Sequence, residues 1–251
     1  MILRSITKHV KDQNWFAVGL DFIIVVFGVF MGFQVQEWAS EKSQRASEGS
    51  YLVRLHSEVV QLTQDRARLV ENIRKNQLRL SNAVAVLHNR SDRQVLTEQE
   101  CAAIHESHIY SNPTANLPTV NELLSSGRLD TLQAKGVKSA ITQLNQSALV
   151  GGDFIDAVNR NILILAREFP MLIRLETVDA DTPLGIRTAA RCDATIMKAN
   201  PQFMNTFVDN RDRYAHYAVF AVEPVTESLV RLHAALDAEL GIVHTEEEAK
   251  P

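Results

Sequence analysis

The residues best suited to chemistry in this chain are histidines, cysteines and isolated carboxylates. His105 and His108, with Glu106 between them, are spaced so that a helix would present both imidazoles on one face. A zinc site takes three or four ligands, one of them usually distant in sequence, so His88 or Cys101 would have to complete it. Solvated or hydrogen-bonded histidines are the plainer reading of a pair. A metal-binding or enzymatic helical domain around His105 and His108 is therefore the alternative to the main reading developed below. No nucleophile elbow, P-loop or dinucleotide fingerprint occurs, so the expectation is a chain with no catalytic residue and no cofactor, not an enzyme.

A second candidate is "GGDF", Gly151 to Phe154, which matches a fragment of the cyclic-dinucleotide cyclase signature. That chemistry needs a turn between strands and further metal-binding acids, and the surrounding pattern supplies neither. A third is Asp21, which sits within an apolar run, "NWFAVGLDFIIVVFGVFMGFQVQEW", Asn14 to Trp38.

The elements that would position these groups follow from composition and periodicity. The 251 residues are 45% hydrophobic and 22% charged, enough for one good-sized core plus an anchor. A net charge of -4 without any Lys/Arg stripe argues against nucleic acid as a partner. Ten glycines, seven prolines and little β-branched alternation leave apolar spacings of three and four dominant, which is an all-α signature.

Residues 15–38 read as a transmembrane helix. Trp15 to Phe33 approaches the ~20 residues a bilayer requires, and Trp15 and Trp38 lie roughly 35 Å apart at ~1.5 Å per residue, suiting two interfaces. A cleavable signal peptide fits less well, because Gln34, Gln36 and Trp38 occupy the place of a small-x-small cleavage site. A buried core helix would not need tryptophan at both ends. At about 100° per residue, Asp21, Val25, Gly28 and Gly32 share one face. The G-x-x-x-G spacing of Gly28 and Gly32 lets two helix backbones approach closely in lipid. A carboxyl on that face either meets the partner helix, protonated or hydrogen-bonded, or reaches to the headgroups. Expected partners are thus the lipid bilayer and a second copy, or another membrane protein, through the Gly28/Gly32 face. Arg4, Lys8 and Lys11 outweigh Asp12 in the amphipathic segment 1–14, so the positive-inside rule puts that segment in the cytosol and the rest of the chain outside.

Asn14, Trp15, Val18, Asp21, Phe22, Val25, Val26, Gly28, Val29, Gly32, Gln34 and Trp38, followed by "YLVRLHSEV" at Tyr51 to Val59, resemble the N-terminal signature of a family of uncharacterised bacterial membrane proteins. "ELLSSGRL", Glu122 to Leu129, resembles its second recurring segment. The resemblance implies a bacterial single-pass inner-membrane protein with an extracytoplasmic, periplasmic helical domain, and implies no activity.

That domain, residues 39–242, is expected to be an up-down-up-down bundle. Its first limb continues the membrane helix and carries a seam through Leu52, Leu55, Val59, Leu62, Arg66, Leu69, Ile73, Asn76, Leu80, Ala83 and Leu87, ending near His88 to Asp92. Arg66 and Asn76 are its polar positions, either of which could fix register. Capping boxes are expected at Thr97/Glu100 and Thr119/Glu122, with Gly127 as a left-handed cap. The third limb is expected to be one helix with a seam from Val137 through Gly151 and Ile162 to Leu172. "ETVDADTPLGIRTAARCD" reads as a polar connection. The last limb, Pro201 to Leu240, is expected to be kinked or divided at Pro224, and the acidic tail 243–251 to be frayed. This limb order brings the start of limb two and the loop before limb four to the same end. In an oxidising periplasm that places Cys101 and Cys192 for one disulfide, closing a loop of roughly 90 residues. The function expected is that of a membrane-anchored envelope protein, an oligomerising structural, docking or sensing module.

Overall fold

The computed structural model describes residues 15–111 and 115–243, and for 15–21 the backbone only. The basic segment 1–14, the side chains of Trp15 and Asp21, and the tail from residue 244 lie outside the described residues. The protein is mainly α-helical, and the chain divides into two compact units, Met1–Tyr51 and Leu52–Pro251.

Helix α1, Trp15–Leu87, supplies the helix of the first unit and the first limb of the second. Within Met1–Tyr51 its described apolar side chains are exposed, among them Phe22 at 69% and Trp38 at 64%. Within the second unit the seam is buried as its spacing requires: Leu52, Leu55, Val59, Ile73, Leu80, Ala83 and Leu87 are all core residues. The helix stops at Leu87, and Asn89 follows with φ 56°, a conformation that asparagine tolerates better than most residues.

The second limb is broken, as expected. Helix α2, Glu98–Glu106, opens on Thr97, whose hydroxyl accepts from the Glu100 N–H while the Glu100 carboxylate accepts from the Thr97 N–H. Helix α3, Pro118–Ser125, does not use its expected capping box. Its N-cap is Leu117, with Pro118 in the first turn, where no N–H is needed. The Thr119 N–H and hydroxyl instead donate to Glu58 of α1, and Glu122 pairs with Arg54. A long-range carboxylate has taken the threonine that the local motif would have used. Gly127 ends the segment at φ 70°.

Helix α4, Lys135–Asn159, passes straight through Gly151 and Gly152. It ends some thirteen residues short of the expected seam. Arg160 closes it, Ile162 lies outside it, and Leu165 belongs to the single turn α5, Leu165–Glu168. Asn159 and Asn161 are poor helix formers and Pro170 has no N–H to continue the ladder, so apolar spacing alone does not carry the helix across.

The segment expected to be a polar connection holds a small hairpin within the mainly α-helical fold. β1, Ile173–Asp179, pairs antiparallel with β2, Ile186–Cys192, in a register from Ile173↔Cys192 to Asp179↔Ile186. Gly185, at φ 68°, makes the turn, with its N–H on the Thr182 carbonyl. Only Ile173 of β1 and Ala189 and Ala190 of β2 are buried, with Cys192 packed partly buried against the core, so the alternation is too short and too polar to stand out.

Short α6, Ala194–Lys198, leads to α7, Pro201–Tyr217, capped by the Asn200 side chain. A π-turn, Ala218–Val222, then joins α7 to α8, Glu223–Leu240, with Pro224 in the first turn of α8. This is the division expected at Pro224. Limb directions follow from the contacts. Glu122 returns to Arg54 and Thr119 to Glu58, so limb two runs back along α1. Ser147 meets Ser228 and Gly151 meets Ala221, so α4 opposes the last limb. Arg66 meets Thr226 and His56 meets Asp237, so that limb also opposes α1. The order in Leu52–Pro251 is up, down, up, down.

The two adjacent glycines of α4 differ sharply. A Cβ at Gly151 would lie 3.0 Å from the Ala221 carbonyl oxygen, whereas one at Gly152 would meet nothing within 4 Å. Gly152→Ala is expected to stabilise by about 0.5–1 kcal/mol through helix propensity. Gly151→Leu is expected to destabilise by about 1–3 kcal/mol or more, because the contacted atoms are backbone. Thermal unfolding of the purified full-length protein checks both signs.

Candidate functional site

Chemistry-bearing side chains gather in three places in the second unit. The first is the disulfide end. Cys101 of α2 and Cys192 at the end of β2 are bonded, with α-carbons 5.7 Å apart. The link closes 91 residues of sequence, which in the chain-entropy model restricts the unfolded chain by about 4–5 kcal/mol. Beside it, Arg93 grips Glu100 in a two-pronged pair at 2.6 and 3.0 Å, while Glu100 also serves the Thr97 cap. The Arg93 guanidinium, followed by the Thr97 bonds, holds the Glu100 carboxyl below its ordinary range against the opposing effect of burial.

The second is the histidine pair at the end of α2. His105 and His108 do lie close, with ring centroids 6.0 Å apart. His108 Nδ1 is 2.9 Å from the His105 carbonyl oxygen, so that nitrogen carries the proton and donates. Burial is the main effect pushing His108 below the ordinary imidazole range. The ligands that would have completed a metal site are not brought in. Cys101 is spent in the disulfide, and among the described residues no third histidine, cysteine or carboxylate joins the pair in a ligand cluster.

The third place was not read from the sequence. His233 and Asp237 stand one turn apart on α8, and antiparallel packing brings His56 of α1 onto them. His56 Nε2 lies 2.9 Å from Asp237 Oδ1, and His233 Nε2 lies 3.6 Å from the same oxygen. The two imidazole rings are 5.2 Å apart. Each residue adjoins a buried leucine of the seam: Leu55 beside His56, Leu232 beside His233, Leu236 beside Asp237. The polar trio therefore forms the rim of an apolar layer that sets its position. Two imidazoles and a carboxylate are a set of metal ligands, and among the described residues this is the group of three that could hold an ion. The i, i+4 spacing of His233 and Asp237 was visible in the sequence; the third member, 181 residues from Asp237, was not.

In the first unit, Val25, Gly28 and Gly32 are exposed on α1, and a Cβ on either glycine would meet nothing within 4 Å among the described residues. The Asp21 side chain lies outside the described residues. This is a helix long and apolar enough to cross a membrane, and its apolar stretch is wholly unburied. Comparison with protein-family models, with curated proteins and with solved structures found no match to the chain.

The Glu100 network has a pH signature. Its folded pKa is depressed, so the unfolded state binds more protons in acid, and the stabilisation is present above the ordinary glutamate value of 4.5 and lost as pH falls through the folded value. Glu100→Gln is expected to cost about 2 kcal/mol at neutral pH and to flatten the acid limb of the stability curve. Tm measured from pH 7 to pH 3 for both proteins tests this; parallel acid limbs would contradict it.

Proposed function

We propose that this protein is a bacterial inner-membrane protein anchored by one span, with its N-terminus in the cytosol and its disulfide-bonded helical domain in the periplasm. It works there by association, as an oligomerising structural, docking or sensing module, rather than by catalysis. The observation that carries this reading is the run of exposed apolar side chains from Phe22 to Phe33, which encircles α1. A surface of that size is costly in water and costs nothing against lipid. The Cys101–Cys192 bond supports an oxidising compartment for the domain. The basic excess of Arg4, Lys8 and Lys11 supports the orientation. The likeness of the first sixty residues to the family signature described above agrees with all three.

Self-association is assigned to the face of Asp21, Val25, Gly28 and Gly32. Among the described residues nothing packs within 4 Å of where a Cβ on either glycine would stand, which leaves the described part of the face open to another helix. In lipid, small residues permit close backbone approach, and a polar group on the same face adds a hydrogen bond worth about 1 kcal/mol.

Two measurements test the reading. A reporter active only in the periplasm, fused to the C-terminus, is expected to be active, and one active only in the cytosol silent; the reverse result overturns the orientation. In membranes, cross-linked dimer is expected to fall strongly in Gly28→Leu and Gly32→Leu and more weakly in Asp21→Leu. Wild-type cross-linking in all three variants would remove the helix face from the proposal while leaving the topology standing.

A further inference from the structure

We propose that His56, His233 and Asp237 form a binding site for one divalent transition-metal ion of the zinc class, which ties the start of the bundle's first limb to the end of its last. The ligand atoms of the three residues all lie within 4.8 Å of one another. Bonds of about 2.0–2.1 Å in a tetrahedron put ligand atoms about 3.3 Å apart. The observed separations from Asp237 Oδ1, 2.9 Å to His56 Nε2 and 3.6 Å to His233 Nε2, bracket that value. The third separation, between the two imidazoles, falls within the 4.8 Å that spans the group, so seating an ion draws the rings together by at most about 1.5 Å, a movement open to side-chain rotation. The metal takes the place of the proton that His56 shares with Asp237.

The donor set selects the class of ion. Two imidazole nitrogens and one carboxylate suit zinc, cobalt or nickel, whereas calcium and magnesium require oxygen ligands in larger number. Exposure also fits. The side chains are 18%, 24% and 15% exposed for His56, His233 and Asp237, enough for a water to complete the tetrahedron and for the ion to enter. The site is held by its neighbours: Leu55, Leu232 and Leu236 are fully buried at adjacent positions, so α1 and α8 cannot slide without moving the ligands. A bound ion would couple two segments that are almost the length of the domain apart in sequence. The assignment stands on its own geometry and does not rest on the membrane reading.

The test uses full-length protein in detergent, stripped with a chelator and dialysed. Cobalt(II) titration is expected to develop a tetrahedral visible spectrum that saturates at one ion per chain, and zinc to abolish it by displacement. His56→Gln and Asp237→Asn are each expected to weaken binding at least about tenfold, while the double variant His105→Gln, His108→Gln binds like wild type. Magnesium and calcium are expected to leave the cobalt spectrum unchanged. Zinc should also raise the wild-type Tm, reversibly with chelator, and protect His56 and His233 from acylation by diethyl pyrocarbonate as read by mass spectrometry. That protection decides the matter on wild-type protein even if a variant fails to fold. Absence of cobalt and zinc uptake at micromolar concentrations, uptake retained in both ligand variants, loss of uptake in the His105/His108 variant, or zinc binding without protection of His56 and His233 would each overturn the assignment.

Discussion

The domain turns on a backbone irregularity. Pro224 has no N–H to offer the carbonyl four residues earlier, and its ring would press on that carbonyl in a regular helix. The chain answers with the π-turn Ala218–Val222, in which the Glu223 N–H reaches back to Ala218. The Val222 carbonyl, at the end of this turn, accepts from two side chains, the Arg66 guanidinium at 2.9 Å and the Thr226 hydroxyl at 2.8 Å. Arg66 also donates to Thr226. On another side, Ala221 presses its backbone against Gly151. Three limbs thus meet at one bulge, each through a group that no ordinary helix contact would call for. Arg66, only 3% exposed, has its basicity lowered by burial, and a hydrophobic residue of its length would leave the bulge carbonyl without the guanidinium.

Polar ties of the same kind hold the second limb at α3 and in the stretch between α2 and α3. Arg54 and Glu58 bind α3 through Glu122 and Thr119. Farther along, Asn210 of α7 donates to the Ser107 hydroxyl and the Leu163 carbonyl, and the Tyr217 hydroxyl donates to the Ser111 carbonyl. Burial pushes the Tyr217 phenol up, so it remains a donor throughout the physiological range. The loops are secured by side chains of the long helices, which explains how a limb broken into short pieces keeps its course.

What could be read from the sequence was what is local. The seam of α1 repeats every three or four residues over a long stretch, and every seam position from Leu52 to Leu87 is buried or half-buried. The Thr97/Glu100 box formed because both partners are three residues apart and Arg93, which also binds Glu100, leaves Oε2 to be shared with the Thr97 N–H. Thr119 and Glu122 have the same spacing, yet the nearer competitor in space was Glu58. The disulfide was legible through limb order, since its partners needed only to be at one end. The trio of His56, His233 and Asp237 was not, because helix rotation decides which rim residues face each other, and periodicity leaves that rotation open across the bundle. The hairpin escaped for a different reason: a ribbon with three core residues hardly differs in pattern from a loop.

That ribbon carries its own safeguard. Among the described residues it pairs with no third strand, so each strand offers one open edge, a template onto which an extended chain could add. The faces along those edges are studded with charge. Arg174 stands directly opposite Arg191, an arrangement that costs energy within the hairpin and is offset where Arg191 donates to Glu176 at 3.1 Å. Arg187 reaches Glu98 at 3.3 Å on α2. An incoming strand would have to seat its own side chains among these guanidinium and carboxylate groups. The like-charge pair, unfavourable as a fold element, thereby works against polymerisation through the one sheet among the described residues.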